Sequence, residues 1–226
     1  MSIHHSEPQS VELLTAAVEG VVRDLSARHG SPVDLVAALG SSNLAWSVGL
    51  AVGRDVRSVT LICPKATVSS STPSLGRLPG LAGVPLYRML GTRAALRWHL
   101  GRLFGGDVDE PFLAYATRAA RVRGAWGPGA ARLAGSLAPL EHARSKPLAL
   151  PVHVVRDAGV LDPAWRDTLD RSHAWADTHL PTLRGLLHYE FACSVARAMR
   201  PFLRDLDAAD AARRLAQQQT SVPRAR

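Results

Sequence analysis

The sequence predicts an α/β protein built on a parallel sheet, and three observations carry that prediction. Helix and strand signatures alternate over the first 64 residues, with the apolar runs Val33–Leu39 and Val56–Pro64 separated by a helix-length segment. Parallel neighbours need a crossover of about a dozen residues or more, and this spacing supplies one. A third buried-strand pattern, Leu148–Val155, returns late in the chain and is again followed by helix. The length of 226 residues, 46% hydrophobic and 20% charged, suits one folded domain plus a subdomain.

From Val11 to Arg28, Leu14, Val18, Val21, Val22 and Leu25 recur at helical spacing and give an amphipathic helix. Gly30-Ser31-Pro32 stops it, and Val33–Leu39 follows as a buried strand. Gly40-Ser41-Ser42-Asn43 is expected to turn the chain into a second helix from Leu44 to about Gly53. Val56–Pro64 is a second strand, closed by proline. Lys65 to Gly83, rich in Ser, Pro and Gly, is read as a loop. Helical stretches at Leu86–Phe104 and Pro111–Val122, broken by glycines, suggest an inserted helical cap over 65–146. The core is then discontinuous, 1–64 and 147–206, with a helix near Pro163–Ala174 and a last strand or extended segment within Trp175–Arg184. Phe191–Leu206 is a closing amphipathic helix, and the polar tail 207–226 is expected to fray.

Composition narrows the function classes. No apolar run reaches the ~18 residues of a membrane span, and the polar start of the chain reads as no secretory signal, so a cytoplasmic protein is expected. Cys63 and Cys193 read as two buried thiols in a reducing compartment. The net charge is +8, and only Lys65 and Lys146 are lysines. The arginines are scattered, with Arg118, Arg121 and Arg123 the one dense cluster, so nucleic acid is not the expected partner. His4, His5, His173 and His179 lack Cys or carboxylate partners at ligand spacing, so no metal is expected, and no motif calls for a cofactor. Trp98, Trp126, Trp165 and Trp175 are expected to fill the cap and core.

The chemistry-bearing signal is the strand–turn–helix segment Gly40-Ser41-Ser42-Asn43-Leu44. It looks like a nucleophile elbow, G-x-S-x-small, whose turn needs small residues because strand and helix backbones approach closely. Gly40 keeps the first small position, and Leu44 departs from the last. Val56–Pro64 is similar to the strand that follows this helix in α/β-hydrolases, and Pro151–Asp157 resembles the strand carrying the triad acid. Leu183–Glu190, followed by a helix with Pro201-Phe202-Leu203, resembles the histidine loop and terminal helix. The chain therefore resembles a divergent α/β-hydrolase over roughly Ser10–Leu206, with a partial parallel sheet, flanking helices and an inserted cap.

That resemblance implies a serine ester or thioester hydrolase. Ser42 would attack an acyl carbonyl, His188 would accept its proton, Asp157 or Asp162 would orient the imidazole, and the Asn43 N–H would stabilise the oxyanion. A small acyl-containing molecule would be the ligand. Two departures weigh against activity. Few residues precede the first strand, so the front strands and one oxyanion donor are missing; and Gly185 stands where the family histidine would, with His188 three residues later. Asp162 before Pro163 also reads as a plain helix cap. The alternatives are a catalytically degenerate protein that binds a ligand or partner chain, a homo-oligomer or partner docked through the exposed sheet edge, or a fragment of a longer hydrolase.

Overall fold

A computed structural model describes residues 11–65, 88–122, 125, 146–159, 161–172 and 175–221. In chain order the elements are α1 (Val11–His29), β1 (Val33–Ala38), a 3-10 turn (Leu39–Ser41), α2 (Ser42–Ala51) and β2 (Val56–Ile62). Then come α3 (Arg93–Leu100), α4 (Glu110–Ala120), β3 (Val152–Arg156), α5 (Pro163–Asp170), β4 (Trp175–His179), α6 (Leu187–Glu190) and α7 (Ala192–Ser221). Among the described residues the strands form one parallel sheet in the order β1-β2-β3-β4. The three apolar runs expected to be neighbouring strands are neighbours, and β4 adds an edge.

β2 and β3 are buried along almost their whole length, as a parallel strand covered on both faces should be. On one face the core gathers Trp46, Val48, Val59, Leu61, Leu148, Val154, Trp165 and Leu169. Trp46 and Trp165 meet edge-on with ring centroids 5.6 Å apart, and Trp46 Nε1 donates to the Lys146 carbonyl at 3.3 Å. Gly49 lets α2 lie close to Leu148, whose side chain would meet an added Cβ at 3.2 Å. On the other face α7 crosses the sheet. There Phe202 stacks on buried His153, whose Nε2 lies 2.9 Å from the Thr178 hydroxyl. Arg57 of β2 ties both neighbours together through Asp34 on β1 and Asp207 and Asp210 on α7.

Several expectations are corrected. α2 begins at Ser42 and not Leu44, because the turn lies at Leu39–Ser41. α7 continues to Ser221 in place of a frayed tail after Asp207; Ala, Arg and Gln favour helix, and Arg213 pairs with Asp210 one turn away. Cys193 is exposed, and Cys63 alone is buried. Trp98 is 62% exposed and fills no core. Much of the expected cap, including Trp126 and nearly all of the loop expected over Lys65 to Gly83, lies outside the described residues, as does His173. No helix among the described residues is long and apolar enough to cross a membrane.

Candidate functional site

The carboxyl ends of β1, β2 and β3 converge where ligands bind in open α/β sheets, and they carry Leu39, Cys63 and Asp157. At the end of β1, Ala38 is still extended, Leu39 takes φ 53°, and Ser42 is already helical at φ −57°. Ser41 clamps this turn: its hydroxyl donates to the Ala38 carbonyl at 2.7 Å and accepts from the Ala38 N–H at 3.1 Å. A left-handed backbone costs a non-glycine residue about 1–2 kcal/mol. The strained position of this strand-to-helix turn is therefore Leu39, three residues before Ser42. Its side chain packs against two apolar clusters. One lies at the sheet end, around Ile62, Cys63, Val155 and Leu187; the other is formed by Leu100, Phe104, Leu113 and Leu186.

The expected site residues are spread around this point. Ser42 is fully buried in the first turn of α2, and its Oγ has no hydrogen-bond partner. Asn43 is buried too, and its side-chain amide donates to the Gly40 and Lys65 carbonyls, each at 3.3 Å, so it holds the turn against the end of β2. His188 lies on α6 and is exposed, although partial desolvation holds its imidazole below the ordinary value. Asp157 folds back so that its carboxylate accepts the Gly159 N–H at 2.9 Å. Asp162 is the N-cap of α5 and accepts the Ala164 N–H at 3.0 Å, with Pro163 in the first turn. Ser42 and His188 share no hydrogen bond, and none joins His188 to Asp157 among the described residues.

Cys63 is the other strained residue, at φ 45°. Burial, with the nearby Asp157 charge, pushes its thiol up to about 11, while the Asp157 N–H bond opposes that rise. The thiol is protonated at neutral pH and is a poor nucleophile.

Sequence reasoning missed a second constellation. The Glu190 carboxylate accepts the Gly105 N–H with both oxygens at 3.1 Å and the Leu186 N–H at 2.6 Å. Gly185, at φ 105°, presses so closely on Gly105 and Glu190 that any Cβ there would collide with both. Beside it, Tyr189 donates to Asp109 at 2.6 Å, and Phe104, Phe112 and Tyr189 pack ring to ring. These contacts fasten α3 and α4 onto the loop before α6. The signal for Leu39 was available in the sequence: Ala37 and Ser41 are small residues two before and two after it. Among the described residues no group of three or more His, Cys, Asp or Glu could hold a metal ion.

No family model matches the sequence, and no curated protein matches it. Solved structures do. An enol-lactonase from Burkholderia xenovorans LB400 superposes with a TM-score of 0.66 at 16% identity, over 89% of this chain and 75% of that one. A thermophilic esterase from Thermogutta terrifontis gives 0.63 at 12% identity, over 88% and 74%. A hydrolase from Oleispira antarctica gives 0.53 at 13%, over 83% and 70%. This chain carries a partial α/β-hydrolase fold, with four described parallel strands and flanking helices.

Proposed function

We propose that this protein uses the α/β-hydrolase scaffold for binding and not for ester or thioester hydrolysis. The observation that carries the reading is Leu39. In this fold the nucleophile sits on the strained strand-to-helix turn, where its oxygen is presented to substrate. Here that turn presents an isobutyl group, wedged between the sheet end and the α3–α4 cluster. Ser42, one turn further on, is buried inside α2, and a hydroxyl without access cannot approach an acyl carbon. Gly185 supports the same reading: in the place of the expected histidine, the chain packs too tightly against Gly105 and Glu190 to admit any side chain. Among the described residues, packing occupies the places where the nucleophile and the histidine would stand.

The division into a core of 1–64 and 147–206 and an inserted cap of 65–146 belongs to this proposal, with α3–α4 as the cap's described part. So does a cytoplasmic setting, where both free thiols stay reduced. The test is hydrolysis of short-chain p-nitrophenyl esters and an acyl thioester by the intact protein and by Ser42→Ala. Rates equal to the uncatalysed reaction in both are expected. Turnover that Ser42→Ala abolishes would replace this proposal with a serine hydrolase acting through Ser42 and His188.

A further inference from the structure

The most unusual surface lies on the outer side of the α3–α4 hairpin. Helical periodicity places Trp98 opposite the inward Leu96 and Leu100 of α3, and Tyr115 opposite the buried Leu113 and Thr117 of α4. Both helices turn their inward residues to the same apolar cluster, which leaves Trp98 and Tyr115 on the outer side of each. Trp98 is 62% exposed, Tyr115 63% and Val122 62%. Arg102 and Arg118 extend the same two stripes, one helical turn from Trp98 and Tyr115. From 88 to 122 the chain carries six arginines against three carboxylates. One of those carboxylates, Glu110, is already held by Arg93 and Arg97, and Asp109 is held by Tyr189.

We infer that this face docks on an anionic lipid bilayer. A segment that exposes a Trp, a Tyr and an aliphatic side chain, with arginines within a helical turn of the aromatic rings, has the composition of one that lies in a membrane interface. The aromatic rings enter the headgroup boundary, and the arginines supply attraction to negative lipid. Two features select a bilayer over nucleic acid. The Arg102 guanidinium lies 3.7 Å from the Trp98 ring centroid and covers one face on which a base would stack, and Val122 offers a base nothing polar. This inference is independent of whether Ser42 is reactive.

The experiment is co-sedimentation of the intact protein with phosphatidylcholine vesicles, with and without about a third phosphatidylglycerol, at low and high salt. A Trp98→Ala/Tyr115→Ala variant keeps the net charge, and an Arg102→Gln/Arg118→Gln variant lowers it. Both change exposed side chains, and unchanged circular dichroism melts verify folding. Binding to the anionic vesicles is expected, weakening with salt. It should fall about ten-fold in the aromatic variant and about five-fold per arginine removed. Failure to bind anionic vesicles at low salt overturns the inference. Binding that the aromatic variant retains in full also overturns it, because overall basicity would then suffice. Loss of self-association in that variant without vesicle binding would assign the face to a second copy of the chain.

Discussion

Replacing Leu39 with alanine and with glycine separates its two roles. The side chain is partly buried and touches two clusters. Truncating a fully buried Leu costs about 2–5 kcal/mol, so Leu39→Ala should cost about 1–3 kcal/mol here. Alanine still has a Cβ and keeps the strain of φ 53°. Leu39→Gly loses the same contacts but releases about 1–2 kcal/mol of left-handed strain, against about 0.5–1 kcal/mol of extra unfolded-state entropy. The glycine variant should therefore be the more stable of the two by up to about 1.5 kcal/mol, about 3–6 °C in melting temperature for a chain of this size. Reversible urea unfolding with a common m-value measures the difference. At an ordinary strand or helix position the order reverses. An alanine variant more stable than the glycine variant by about 0.5–1 kcal/mol would refute the assignment of Leu39 to the strained turn.

Glu190→Ala leaves the Gly105 and Leu186 N–H groups without their acceptor and should cost about 2–4 kcal/mol, with faster amide exchange at Gly105 as the local signature. Gly185→Ala should be at least as damaging, since its Cβ meets both Gly105 and Glu190 at a positive φ; a melt within 1 °C of the parent, a margin of about 0.3 kcal/mol, would sink that reading. Burial holds the His153 imidazole below its ordinary value, so the folded state prefers it neutral. Its contribution is then intact above the unfolded value near 6.5 and is lost as pH falls through the folded one; His153→Gln should flatten the acid limb of a stability–pH curve. Burial raises Asp34, but the hydrogen bonds from Arg57 and Ser58 outweigh it and hold the carboxyl below its ordinary value. Stability from this pair is therefore present above the unfolded carboxylate range and lost on acidification, and Arg57→Ala should remove about 1–3 kcal/mol of it at neutral pH.

The sheet was legible because its two central strands are buried on both faces. Val33–Leu39, Val56–Cys63 and Pro151–Val155 are near-continuous apolar runs, and such runs have few alternative readings. β4 was harder, since Trp175–His179 lies at an edge and alternates with Asp177 and His179. The strained turn lies three residues before Ser42, to which the sequence pointed. Gly40 and Ser42 drew the turn toward themselves because glycine and serine are the usual turn residues, whereas the backbone puts this turn's left-handed residue at Leu39. Small Ala37 and Ser41 flank Leu39 as such a turn requires, but a leucine between them is not a usual turn residue; its side chain packs between two clusters, and that information is tertiary. Asp162 was legible as a helix cap from the Asp-Pro pair alone. Glu190 was not, because its partners Gly105 and Leu186 are brought to it only by the packing of α3–α4 on the final loop.

The central claim, that the strained turn carries no usable nucleophile, is tested most directly by a fluorophosphonate probe followed by intact-protein mass measurement. Wild-type protein and Ser42→Ala should both emerge without adduct after hours at neutral pH, while an active serine hydrolase in the same tube is labelled to completion. A single adduct on the wild type that maps to Ser42 and disappears in Ser42→Ala would contradict the account, because it would show the buried hydroxyl reaching the surface with a base beside it.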